Sequence, residues 1–183
     1  MVSRSRKRPA RKSPRGRGLP IPPGFHTVTP SLAVVGGVAA LEFYKAAFGA
    51  KELIRNTTPD GKLVHGRIRI GDSIVLLSDV FEGSDRVAPS TVEATTVTLH
   101  LYSKDVESLW NRAVAAGAKV TMPLGDQYWG ERYGHLVDPF GHHWSLSMRI
   151  RMSKAVRDAK AKEAMKAFSQ GEHPARVSSD TDI

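Results

Sequence analysis

The stretch from Trp129 to Leu146, WGERYGHLVDPFGHHWSL, carries the signals that decide the fold. Its centre, DPFG at residues 138–141, has the composition of a tight turn, because proline suits the second position and glycine tolerates the positive φ that closes it. Segments of strand composition flank this turn at residues 133–137 and 143–148. The stretch therefore predicts a hairpin, with two histidines at the start of its second strand.

The order of elements around this hairpin occurs twice along the chain. Each unit is predicted to contain one strand, one helix and three further strands, and each helix ends in a similar Gly-Ala-Lys sequence, at residues 49–51 and 117–119. Two βαβββ units of nearly equal length indicate an internal repeat and an α+β fold. The predicted strands cover residues 27–35, 52–56, 63–70, 73–78, 95–101, 120–122, 133–137 and 143–148, and the second helix covers residues 106–116.

Alternation with a period of two assigns the strand side chains to two sides of a sheet. The side predicted to pack under the helices holds Trp144, Leu146 and Met148, with Val97, Leu99 and Leu101, and with Val64, Ile68 and Ile70. The opposite side holds Thr96, Thr98 and His100 with His143, Ser145 and Ser147, and also His65, Arg67 and Arg69. This polar composition favours a cavity for a ligand over the alternative, a merely solvated face. His142 is predicted to be an exposed or hydrogen-bonded turn residue.

Three segments together resemble the vicinal oxygen chelate superfamily, and in particular its PhnB-like, glyoxalase-related branch. They are FYKAAFGAKEL at residues 43–53, HGRIRIGDSIVLLSD at residues 65–79, and WGERYGHLVDPFGHHWSL. The resemblance covers residues 25–168. It implies paired βαβββ units that form a cup-shaped mixed sheet with the helices on the convex side, and it implies a homodimer.

Metal-using members of that superfamily carry one ligand on the first and last strand of each unit. The resemblance places these positions at Thr29, Leu76, Thr98 and Ser145, and none of these side chains is an ordinary ligand for Zn²⁺, Ni²⁺ or Fe²⁺. We therefore expect no cofactor. The alternative is a divalent metal held by an improvised set, His65, His100, Glu131 and His143.

The predicted function is metal-independent binding of a small organic ligand, with sequestration or resistance as the biological role. Its predicted contacts are His65, Thr98, His100, Trp129, Glu131, Arg132, Tyr133, His143 and Ser145. In this set an aromatic, an acidic and a guanidinium group are expected to form the pocket rim; the alternative is a surface pair of Glu131 with Arg132 beside a Trp129 that covers the core edge. A glyoxalase-like metalloenzyme of the lyase, isomerase or dioxygenase class, with unorthodox ligands, is the alternative function.

Composition restricts the remaining classes. The 183 residues include no cysteine, which excludes a disulfide framework, thiolate zinc sites and thiol catalysis. No apolar run reaches the roughly 20 residues that span a bilayer, and the N-terminus lacks the apolar region of a secretory signal. These observations predict a cytoplasmic protein with no membrane attachment.

The predicted organisation is one domain between two tails. Residues 1–24 are predicted to be a disordered basic tail and proline-rich linker, residues 25–150 the domain (units at 25–80 and 94–150), residues 151–168 a helix, and residues 169–183 a disordered tail. The apolar stripe of the helix, formed by Val156, Ala159, Met165 and Phe168, is expected to pack loosely on the domain.

The basic tail predicts a second function. Residues 1–19 carry eight of the 27 Lys and Arg residues and no acid, so the rest of the chain is almost neutral. Within them, Arg15-Gly16-Arg17 resembles the core of an AT-hook, whose arginines enter the narrow minor groove of A·T-rich DNA. This predicts attachment to DNA and a nucleoid-associated location. The alternative is a solvated tail with weak, non-specific affinity for nucleic acid.

Overall fold

Two runs of one strand, one helix and three strands make up the fold in the computed structural model, which describes residues 20–171. The first run contains β1 (Ser31–Val34), α1 (Gly37–Phe48), β2 (Lys51–Thr57), β3 (Leu63–Ile70) and β4 (Ser73–Asp79). A short helix, α2 (Pro89–Val92), lies in the connection. The second run contains β5 (Thr98–Tyr102), α3 (Val106–Ala115), β6 (Lys119–Asp126), β7 (Glu131–Val137) and β8 (His143–Arg149), and α4 (Lys154–Ser169) follows it.

Each unit forms its own four-stranded mixed sheet. The strand orders are β1-β4-β3-β2 and β5-β8-β7-β6, and in each sheet the first strand is parallel to the fourth while the other pairs are antiparallel. The helix returns the chain, so that the strand after it runs in the same direction as the first strand. Two antiparallel reversals then give the fourth strand that direction as well, and it pairs with the first in parallel. The predicted α+β fold of paired βαβββ units is confirmed.

Helices α1 and α3 supply the centre of one hydrophobic core that both units share. Helix α1 has no capping side chain of its own, and the carboxylate of Asp79 at the end of β4 accepts from the backbone N–H groups of Gly36 and Gly37, at 2.8 and 2.9 Å. Helix α3 begins in the ordinary way, with Asp105 accepting from the N–H of Ser108 at 3.0 Å. Helix α1 is therefore capped by a residue of a neighbouring strand, whereas α3 is capped by the residue that directly precedes it.

The buried carboxylate of Asp138 joins the two units. Its Oδ2 accepts from the hydroxyl of Tyr44 on α1 at 2.7 Å and from Nε1 of Trp144 on β8 at 2.8 Å. Its Oδ1 accepts from the backbone N–H groups of Phe140 and His142, both at 2.9 Å. Burial, reinforced by the charge and the hydrogen bond of Asp138, raises the pKa of Tyr44 well above its ordinary value, so this phenol stays a donor.

The DPFG turn has the predicted geometry and packs against the first unit. The N–H of Gly141 donates to the carbonyl of Asp138 at 3.0 Å, and Gly141 has a φ of 86°. A side chain at Gly141 would meet the backbone of Pro89 and Ser90 in α2. His142 is hydrogen-bonded as predicted but is not exposed: it is buried, and its Nε2 lies 3.1 Å from the carbonyl oxygen of Ala33 in β1.

Two side chains predicted to be buried, those of Val64 and Val97, are exposed instead. Val64 is 49% exposed because it is the extra residue of a bulge: Asn56 pairs with His65 and Thr57 with Leu63, so Val64 has no partner, and Leu63 is buried in its place. Val97 is 62% exposed because β5 begins one residue after it.

The ends of the described region also differ from the predictions. Strand β1 starts at Ser31 rather than at residue 27, because Pro30 precedes it and the Thr29 hydroxyl donates to the carbonyl of His26 in a turn. Helix α4 is capped by Ser153, as predicted; none of its residues is buried, and Val156, Met165 and Phe168 of its apolar stripe are half-exposed. The basic tail (residues 1–19) and residues 172–183 lie outside the described region. Within residues 20–171 no helix is long and apolar enough to cross a bilayer.

Replacing Asp138 should destabilise the whole domain. In Asp138→Ala four buried donors lose their acceptor, and we expect the free energy of unfolding to fall by about 3–4 kcal/mol in chemical denaturation. The matched control is Asp158→Asn on α4, whose carboxylate pairs only with exposed Lys154 and should cost less than about 1 kcal/mol. Equal losses in the two variants would contradict the central role of Asp138.

Candidate functional site

The second sheet consists of β5 to β8, and the side that faces away from the helical core is its outer face. This face gathers most of the predicted ligand contacts. Across the parallel pair, Thr98 lies opposite His143 and His100 lies opposite Ser145. Tyr133 lies on the same face of β7, since it pairs with Ser147, two residues along the strand from Ser145. The intervening residues Leu99, Leu101, Trp144 and Leu146 face the core, as the alternation predicted.

Glu131 organises the aromatic end of this face. Its Oε1 accepts from the hydroxyl of Tyr102 at 2.9 Å, and its Oε2 accepts from Nε1 of Trp129 and from Oγ of Ser147, both at 3.0 Å. Burial alone would raise the pKa of Glu131, but the three hydrogen bonds and the nearby imidazole of His100 together lower it. The carboxylate is therefore ionised at neutral pH and holds a phenol and an indole ring in place.

The histidines of this face stand among tyrosines. His100 Nδ1 lies 2.7 Å from Ser145 Oγ, and the His100 ring packs edge-on to Tyr102 and parallel to Tyr133. The Tyr133 hydroxyl lies 2.6 Å from Nε2 of His135. Burial lowers the pKa of His135, with the charges of His143 and His100 adding to the effect, so its imidazole is neutral at neutral pH.

Two of the predicted contacts lie away from this cluster. Arg132 points to the helix side of β7, where its Nε lies 2.9 Å from Glu107 and its Nη1 donates to Asp126 at 2.9 Å. It forms neither the predicted clamp nor a pair with Glu131, because neighbouring residues of a strand face opposite sides. His65 lies on the other sheet, in β3.

The arginine beside the acid and the aromatics is Arg149. It lies opposite Glu131 in the pairing of β7 with β8, and with Tyr102, Trp129 and Gly130 these two residues line a cleft of about 400 Å³. A second cavity of about 590 Å³ reaches His100 and Tyr102 from the end of β5, next to the turn between β3 and β4. The predicted ligand contacts did not include Tyr102, His135, Ser147 and Arg149, although the alternation had already placed Ser147 on this side and, extended along the same strands, would have found Tyr102 and His135.

Comparison with known proteins agrees with this architecture. The family model that matches residues 25–146 is that of the Glyoxalase/Bleomycin resistance protein/Dioxygenase superfamily. The chain belongs to this superfamily.

The relatives of this superfamily member include proteins with and without a stated role. An uncharacterized protein of Mycobacterium tuberculosis (strain ATCC 25618 / H37Rv) is 44% identical over 127 residues, which are 68% of this chain and 75% of that protein. Among solved structures, TioX from Micromonospora sp. ML1 is 25% identical, with a TM-score of 0.54 over 67% of this chain and 97% of TioX. TnmS3, an antibiotic binding protein from Streptomyces sp. CB03234, is 21% identical, with a TM-score of 0.51 over 72% of this chain and 99% of TnmS3.

The residues at the superfamily's metal positions do not fit a metal ion. Thr98 and Ser145 are hydroxyl side chains, Leu76 is apolar, and Thr29 precedes β1 and is bonded to a backbone carbonyl. In the described part of the chain no three His, Asp or Glu residues are grouped so that they could hold a metal ion. The improvised set is divided between the sheets, since His65 is on the first and His100, Glu131 and His143 are on the second.

The lowered pKa of Glu131 predicts an acid-sensitive contribution to stability. The folded protein binds this proton less tightly than the unfolded chain, so the contribution is complete above the ordinary value of 4.5 and is lost as pH falls through the lower folded pKa. Wild type should therefore exceed Glu131→Gln in stability at pH 7, and the gap should close in acid, as followed by urea unfolding. Glu163→Gln on the exposed α4 is the control; a gap that stays constant with pH would refute the prediction.

Proposed function

We propose that the protein binds a small organic molecule on the outer face of the second sheet without the help of a metal ion. The observation that carries the proposal is the cleft in which Glu131 fixes the rings of Tyr102 and Trp129 beside Arg149. Tyr102 and Trp129 are 68% and 39% exposed, so both present ring surface to a ligand.

The preformed network supports binding as the function. Side chains already held by hydrogen bonds lose little rotamer freedom when a ligand arrives, which favours affinity. The two rings offer stacking surface to a flat ligand, while Arg149, His100 and Thr98 offer polar contacts. TnmS3 is an antibiotic binding protein on the same fold, which is compatible with a sequestering or resistance role for this chain.

A second copy of the chain would complete the cleft. The cleft is open to solvent, and sequestration needs a wall on that side. We therefore propose a homodimer, as the resemblance to the superfamily implies. We also propose that the protein is located in the cytoplasm.

Ligand binding should depend on the aromatic side chains and not on metal. Protein purified without a chelating tag is screened against flat aromatic antibiotics by thermal shift. Affinities are then measured by isothermal titration calorimetry, because tryptophan fluorescence would itself change in Trp129→Ala. We expect Tyr102→Ala and Trp129→Ala to weaken binding about tenfold or more, and Phe81→Ala, on the loop after β4, to have no effect.

The same preparation decides between the binding protein and the alternative metalloenzyme. We expect EDTA to leave the affinity unchanged and elemental mass spectrometry to find far less than one equivalent of Zn, Ni, Fe or Mn. Near-stoichiometric metal, together with binding that EDTA abolishes and one metal restores, would replace the proposed function by the metalloenzyme.

We further propose that residues 1–19 attach the protein to nucleic acid, because they combine eight basic residues with no acid. Retention on A·T-rich duplex DNA at 50 mM salt should be lost on raising the salt to 200 mM, by about 10³-fold if six phosphates are contacted. Deleting residues 1–19 should abolish retention and leave the far-ultraviolet circular dichroism of the domain intact. Undiminished retention of the truncated protein would assign any DNA binding to the domain instead.

A further inference from the structure

The outer face of the first sheet carries basic side chains that form no salt bridge with a carboxylate in residues 20–171. Side chains on this face include His65, Arg67 and Arg69 of β3, and Arg86 reaches it from the loop after β4. The only acidic residues of these four strands, Glu52 and Asp79, are engaged elsewhere: Glu52 pairs with Lys45 of α1, and Asp79 accepts from the start of α1. No carboxylate of the described chain lies within salt-bridge distance of the three arginines.

Arg86 is fixed in place by neutral groups. Its Nη1 donates to Oγ of Ser78 at 2.7 Å, and its Nη2 lies 3.3 Å from Oγ and 3.4 Å from the carbonyl oxygen of Ser31. Ser78 is buried, so one anchor of the guanidinium is rigid. Because a guanidinium has five N–H donors, the contacts with Ser78 and Ser31 leave Arg86 with donors for a further partner.

Arg67 stands nearby with an unused donor. Its Cζ lies 4.8 Å from the centre of the Phe25 ring, and its Nε is buried with no hydrogen-bond partner. In the sheet, Leu76 of β4 has Ser31 on one side and Arg67 on the other. With strands about 4.8 Å apart, the anchor of Arg86 and the backbone of Arg67 are about 10 Å apart, within reach of two arginine side chains.

We propose that this face binds an oxyanion, the carboxylate or phosphate group of a small molecule, between Arg67 and Arg86. Arginine matches the planar, multidentate geometry of such groups, and a ring-packed guanidinium leaves its edge donors available for them. The anion contacts the terminal N–H groups first, and it supplies the acceptor that the buried Nε of Arg67 lacks once that side chain turns towards it. The site is distinct from the cleft of the second sheet, so it stands or falls independently of the proposed function.

The test observes the two arginines directly in the full chain. Nitrogen-15 spectra of the arginine Nε–H groups are recorded while inorganic phosphate or, separately, acetate is added, with potassium chloride at matched ionic strength as the reference. We expect the Arg67 and Arg86 signals to shift and saturate at millimolar anion. Saturation by phosphate alone identifies a phosphate site, and saturation by acetate alone identifies a carboxylate site.

Matched substitutions separate a built site from general attraction to a basic protein. Arg86→Lys and Arg67→Lys keep the charge but lose the planar fork, and each should weaken anion binding about tenfold. Ser78→Ala, which removes the rigid anchor, should weaken it as well, whereas Arg157→Lys on the exposed α4 should not. Shifts that equal those in potassium chloride, or that move Arg157 as much as Arg67, would overturn the proposal.

Discussion

The rest of the structure depends on one buried carboxylate. Asp138 accepts four hydrogen bonds, one of them from Tyr44, 94 residues away in the other unit. A charge buried without partners would be costly, so these donors must all be in place for the fold to be stable. Trp144 of β8 and Tyr44 of α1 both donate to this carboxylate, so it sets the position of β8 relative to α1.

Fixing β8 determines what the outer face of the second sheet presents. With Trp144 and Leu146 in the core, Ser145 and Ser147 must lie on the opposite side, where they contact His100 and Glu131. The core of the protein and its candidate ligand site are thus the two sides of one strand. The site therefore combines buried anchors, Ser145 and Ser147, with exposed rings such as that of Tyr102.

The two units share a topology but differ in the chemistry of their outer faces. The first face holds Arg67 and Arg86, neither of which pairs with a carboxylate of the described chain, while the second holds Glu131 among tyrosines and histidines. Folding constrains mainly the side that packs against the helices, so the outer sides of a repeated unit can diverge without loss of the fold. That freedom suits a superfamily in which one scaffold carries different sites, and within residues 20–171 no three His, Asp or Glu residues are grouped as metal ligands.

The sequence by itself determined the repeated βαβββ order, the DPFG turn and the sides on which Trp144 and His143 lie, since these follow from local backbone geometry and period-two alternation. Only the tertiary structure decided that β7 extends back to Glu131, which turns Arg132 away and brings Arg149 beside Glu131. It also decided that Val64 leaves the core at a bulge and that Asp138 binds Tyr44. These outcomes depend on strand register and on contacts between distant residues. Alternation gives each side chain a side of the sheet, but the folded register gives it a partner.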